Sequence, residues 1–298
     1  MFVLWVALAA PPAVAAGGAP LYSRCDPSSE VIARLEASTP VKLGYSIAGE
    51  HGRCFHVTAG ALQGYLFSGA LTAVEEYEKA RADASASDLP VILKAEIRRV
   101  REEAPREAWL APVLEALESG RPAEALRRIE SALLPTAPDE PNLLALAGLA
   151  AFQSDDTRKA EAYWARSLAL RPNPQIAALL ARVRAERATD AGHERAAASR
   201  FILRYEGRAL SGRAAEALLD ALDAELNRIQ DAIGCPMAEP IPVIVQTRET
   251  YRAATGLGEW NGGLFDGRVR VPMSADTRPP DLRQTLAHEL VHACLARR

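Results

Sequence analysis

The spacing of apolar residues changes twice along this chain, and those changes limit what it can fold into. Over residues 19–74, short apolar runs at 31–35, 41–45, 54–58 and 64–67 have strand length and are separated by Gly, Ser and Pro. Strands this short and closely spaced fit a small closed barrel. Across residues 105–190, Ala, Leu, Arg and Glu dominate and the apolar period is helical. From Phe201 onward, strand-like and helix-like segments alternate. The expected fold class is multidomain: a small all-β barrel, then α-helical hairpins, then a C-terminal α+β domain.

Composition supports a water-exposed globular chain. Of 298 residues, 49% are apolar and 24% charged, with a net charge of −3 and mixed signs throughout. No basic stripe points to nucleic acid and no polybasic patch to an anionic membrane. The first residues, MFVLWVALAAPPAVAAGG, read as an export signal over 1–16. An apolar run is followed by the small-residue site Ala13-Val14-Ala15, although no Lys or Arg precedes the run. An apolar N-terminal strand or anchor is the competing reading. No later stretch reaches the ~18 apolar residues a span needs, so the expected location is periplasmic or extracytoplasmic, with no membrane span after cleavage. Four cysteines suit an oxidising compartment. Cys25 and Cys54 flank the β-rich segment and could pair, Cys235 and Cys294 lie in the last domain, and three connectivities remain open.

Residues 19–74, with the Pro-Ser-Ser turn, "VIARLEASTPVKL", "GRCFHV" and "GYLFSGAL", resemble a bacterial SH3 domain. That likeness implies a cell-wall or peptide ligand. His51 and His56 fall here and read as ordinary surface residues. Residues 75–104 read as a helical linker. In "PNLLALAGLAAFQSDDTRKAEAYWARSLALRPN", Gly148, Ala160, Trp164, Ser167 and Pro172 fall at the offsets of a tetratricopeptide repeat, and a weaker copy with Ala125 precedes it. Small residues at 148 and 160 let two helices approach, Trp164 fills the gap, and Pro172 ends the second helix. Residues 105–190 are thus expected to be tetratricopeptide-like hairpins that space or brace. A helix at 175–186 leads into the polar stretch "RATDAGHERAAASR", where His193 reads as solvated and without a role.

Residues 199–298 carry the chemistry. "FILRY" reads as a strand, 209–233 as an amphipathic helix stopped by Gly234, and 241–246 as a buried strand. "ETYRAAT" reads as a short helix ended by Gly256, and Asp266-Gly267 turns a hairpin. Asp281 is placed to cap a final helix, with Gln284 as its capping-box partner and Leu282, Leu286, Leu290 and Val291 on the buried side. That helix contains His288-Glu289-Leu290-Val291-His292. Side chains four apart share a helix face, so both imidazoles can reach one ion while Glu289 stands beside it as a general base.

The segment is similar to the peptidase MA-like family of zinc metallopeptidases, in the gluzincin group. Its carriers are "FILRYEG", the long helix, "IPVIVQTRETYRAATG", "WNGGLFDGRVRVP" and "LAHELVHA". The likeness implies a zincin-like domain, present in part. It implies Zn2+ on His288 and His292, Glu289 as catalytic base, and peptide-bond hydrolysis by zinc-activated water. Its substrate would be a peptide or protein, cell-wall peptide included, laid along the hairpin edge. The family's third ligand, a glutamate from a downstream helix, has no counterpart before Arg298. The metzincin alternative would need Gly at 295 and His at 298, where this chain has Leu295 and Arg298. The expectation is therefore a truncated, weakly zinc-binding and inactive chain, unless Glu249, Glu259 or Asp266 substitutes. A non-catalytic envelope scaffold, acting through its SH3-like and repeat modules with a degenerate peptidase domain, is the competing function.

Overall fold

The computed structural model describes residues 13–15, 17–49, 51–72, 74–75, 89–103, 110–190, 192–256, 263–273 and 279–297. Most of the signal segment, residues 76–88 of the expected linker, and Glu259 lie outside them. The chain is mixed α/β and divides into two compact units, Met1–Ser87 and Asp88–Arg298.

The first unit holds an antiparallel sheet of β1 (Ala19–Tyr22), β2 (Val31–Leu35), β3 (Lys42–Gly49), β4 (Gly52–Ala59) and β5 (Leu62–Phe67), in the order β2-β1-β5-β4-β3. Leu21, Leu35, Leu43, Phe55, Val57 and Leu66 alternate onto its buried face. Val14 joins this core, with bridges from Ala13 to Pro40 and from Val14 to Leu71. Cys25 pairs with Cys54. His51 is exposed, and His56 packs edge-on against Tyr65.

In the second unit, α1 (Leu89–Glu103), α2 (Ala111–Glu118), α3 (Pro122–Arg128), α4 (Pro141–Gln153), α5 (Thr157–Leu170) and α6 (Pro174–Thr189) pack around one apolar core. Glu140, Asp156 and Asn173 cap the last three through their side chains. Trp164 is fully buried and donates its indole N–H to the Ala145 carbonyl at 3.1 Å. A Cβ at Gly148 would stand 2.3 Å from the indole Cδ1, so the α4–α5 approach requires glycine there. Gly148→Ala is expected to destabilise the protein by about 2–3 kcal/mol despite alanine's better helix propensity, read from urea unfolding.

The second sheet comprises β6 (His193–Ala197), β7 (Phe201–Glu206), β8 (Ile241–Thr247), β9 (Leu264–Phe265) and β10 (Val269–Met273), in the order β6-β7-β8-β10-β9. The three central strands are parallel, and the two outer ones are antiparallel to their neighbours. One face shows Phe201, Leu203, Tyr205, Val243, Val245, Val269 and Val271 to α7 (Gly212–Ile233) and α9 (Pro279–Leu295). Helix α8 (Arg248–Thr255) ends at Gly256, whose φ of +71° is the left-handed conformation a glycine stop supplies.

The opposite face is charged yet covered. Arg204, Arg268 and Arg270 point from it into Asp155, at the α4–α5 turn, and Glu186 of α6. Asp266 closes the cluster by accepting from Arg268 and Arg270. All six side chains are 5% exposed or less. The Arg268 guanidinium also lies 3.6 Å from the centre of the Phe152 ring. The helical segment and the α+β segment, read apart in the sequence, therefore share a buried ionic seam in this unit.

His193 corrects an expectation. It opens β6, pairs in register with Glu206, and its side chain is only 3% exposed. Residues His193–Ala197 pair with β7 as an edge strand, with Glu194, Arg195 and Ala197 exposed and the His193 side chain turned inward. The ring lies 3.5 Å from the Gln246 amide and 3.9 Å from Asp190.

Candidate metal centre

Helix α9 presents two faces. Leu286, Leu290, Ala293 and Cys294 are buried in the core shared with α7, with Leu282 and Val291 packed at its margin. This is the apolar spacing read from the sequence. The side chains of Asp281 and Gln284, expected to form the helix cap, lie outside the described residues. His288 and His292 are exposed, while Glu289 between them is 6% exposed.

The two imidazoles meet edge to face, with ring centres 4.7 Å apart. Their Nε2 atoms are 3.2 Å apart. Two nitrogens each about 2.05 Å from one ion, at the tetrahedral angle, stand about 3.3 Å apart. The pair thus fits two neighbouring positions of one zinc ion. The same approach also serves an N–H···N bond between neutral rings.

Glu289 lies beneath the sheet edge. A Cβ built on Gly263, immediately before β9, would be 2.9 Å from both Cγ and Oε1 of Glu289. The carboxylate is therefore packed against the main chain at Gly263, immediately before the edge strand. The hairpin expected from Asp266-Gly267 supplies this strand: Phe265 pairs with Val269 and Leu264 with Arg270.

The far end of α9 is held in three ways. Cys294 is bonded to Cys235, just beyond α7. Arg297 donates to the Glu239 carbonyl at 3.2 Å and lies on Gly120, where a Cβ would meet its Cγ at 2.3 Å. The Glu239 carboxylate in turn accepts the Ala123 and Glu124 amides at the start of α3, both at 2.8 Å.

Among the described residues, no group of three His, Cys, Asp or Glu side chains is placed to hold a metal. Of the substitute ligands considered, Glu249 is exposed on α8. Asp266 is consumed by Arg268 and Arg270, and Glu259 is outside the described residues. Burial alone would raise the Asp266 pKa, but those two guanidiniums hold it below the usual carboxylate range. An Asp beside an Arg-Val-Arg strand is the only sequence sign of that pairing. Among the described residues, no helix is long and apolar enough to cross a membrane. Comparison with protein-family models, curated proteins and solved structures returns no match to this chain.

Proposed function

We propose that the chain carries the core of a zinc-dependent peptidase centre of gluzincin type, exported to the cell envelope and accompanied by SH3-like and tetratricopeptide-like modules. The observation that carries this reading is the 3.2 Å Nε2 pair of His288 and His292 flanking the buried Glu289. His288 and His292 would hold the ion; no third side-chain ligand is placed beside them among the described residues.

A bound zinc ion supplies a Lewis acid that lowers the pKa of water and polarises a scissile carbonyl. Glu289 accepts the proton of the attacking water and returns it to the departing amine. Its seat under the edge strand keeps the carboxylate beside any peptide main chain laid along β9. The substrate class is a peptide or protein, cell-wall peptide included.

The test is zinc-dependent hydrolysis of an unfolded protein by the wild type and by Glu289→Gln, with zinc binding followed in parallel. Hydrolysis lost in Glu289→Gln while zinc binding persists supports the reading. The presence of only two ligand side chains among the described residues favours a second reading, a non-catalytic scaffold with a degenerate peptidase domain. Zinc binding without hydrolysis in the wild type would select that second reading.

A further inference from the structure

Gly263 has no conformational need to be glycine. Its φ is not in the left-handed region, unlike that of Gly267 in the same hairpin or Gly256 at the end of α8. What excludes a side chain is space: a Cβ would be 2.9 Å from Glu289 Cγ, Glu289 Oε1 and Thr285 Cγ2. All three atoms belong to α9, two of them to the candidate base. The residues after Gly263 form the edge strand, and that strand is paired to β10, whose Arg270, with Arg268 just before the strand, enters the buried ionic cluster. Pressure at 263 falls on side-chain atoms of α9, two of the three on Glu289 and one on Thr285, while backward displacement is opposed by the hairpin and the cluster behind it.

We infer that Gly263 is a positioning residue for Glu289: the missing side chain at 263 lets the carboxylate lie against the strand edge. The inference rests on the reading of Glu289 as the base for its consequence in catalysis, but not for the contact itself. A displacement on the order of 1 Å at a reacting group costs on the order of a hundredfold in rate. Alanine at 263 is therefore expected to lower kcat by about that factor with KM nearly unchanged.

The experiment is a double-mutant cycle of Gly263→Ala and Glu289→Ala on the full chain, read by urea unfolding. It is combined with the carboxyl 13C resonance of Glu289, assigned by its disappearance in Glu289→Gln. The expected result is a lowered unfolding midpoint in Gly263→Ala, a loss at least halved in the Glu289→Ala background, and a displaced Glu289 resonance. An equal loss in both backgrounds, or an unmoved resonance, overturns the inference. If Gly263→Ala does not fold, Gly263→Ala/Glu289→Ala must recover folding, and failure to do so counts equally against it. These readouts need no peptidase activity. A wild type that hydrolyses nothing sinks the peptidase reading and leaves the contact to be judged by the cycle.

Discussion

Arg268→Met is expected to destabilise the second unit by about 3–5 kcal/mol, because it leaves Asp155, Glu186 and Asp266 buried without one of their shared cations. Methionine replaces much of the side-chain stem, so lost packing is a minor part of that loss. An exposed pair provides the control. Arg184 on α6 bridges Glu161 at 3.0 Å but is more than half exposed, and Arg184→Met should cost no more than about 1 kcal/mol. Urea unfolding of the three proteins checks the difference. Equal small effects would mean that the seam contributes little to stability.

The same cluster sets a direction for pH dependence. Burial by itself would raise the pKa of Glu186, but Arg268, Arg270 and Arg204 overcome it and hold the carboxyl well below its ordinary range. A carboxylate depressed in the folded state contributes stability that is present above its unfolded pKa, about 4.3 for Glu. That contribution is lost as pH falls from there toward the folded value. Acid unfolding should therefore start below about pH 4 in the wild type.

Where a third ligand completes the zinc site, Glu289→Gln is expected to reduce zinc-dependent peptide hydrolysis by a factor of about 10²–10⁴, the usual contribution of a positioned general base. The amide is isosteric and neutral, so it preserves the packing against Gly263 while removing the proton acceptor. Zinc binding should survive, since the imidazoles of His288 and His292 are untouched. Initial rates on an unfolded protein substrate at saturating zinc give the ratio. A variant as active as the wild type would remove Glu289 from the chemistry and with it the reading of the motif.

Local signals carried much of this architecture. The i, i+4 spacing of His288 and His292, the apolar stripe of Leu286 and Leu290, and the Asp266-Gly267 turn each depend on residues a few positions apart. The small residues at 148 and 160 beside Trp164 were equally legible, because α4 and α5 are joined by a short loop. Long-range electrostatic pairing was not legible. The alternation of Arg268, Val269, Arg270 and Val271 says that one sheet face is charged, but not that the face is covered. Its partners Asp155 and Glu186 lie 113 and 82 positions from Arg268, too far for any local period to connect. The burial of the His193 side chain was not legible for the same reason: Gln246, 53 positions away, reaches it only when β6, β7 and β8 assemble. Nothing in the spacing of Glu249, Glu259 and Asp266 identified a third ligand, and the seam explains only why Asp266 is not one.

The helical segment is tied to the α+β segment at two places. Through Asp155 and Glu186 it holds the hairpin that carries the edge strand, and through Gly120 and the α3 amides it holds the end of α9. The hairpin is thus braced from the α4–α5 turn and α6, and the end of α9 from the α2–α3 turn and α3.

The most direct test of the zinc centre is the unfolding free energy of the wild type and of His288→Ala/His292→Ala, measured with and without zinc. At a free zinc concentration 100-fold above its dissociation constant, a native-state site stabilises the wild type by about 2.7 kcal/mol, and the double variant should gain nothing. Equal stabilisation of both proteins, or none in either at millimolar zinc, would contradict a metal centre at His288 and His292.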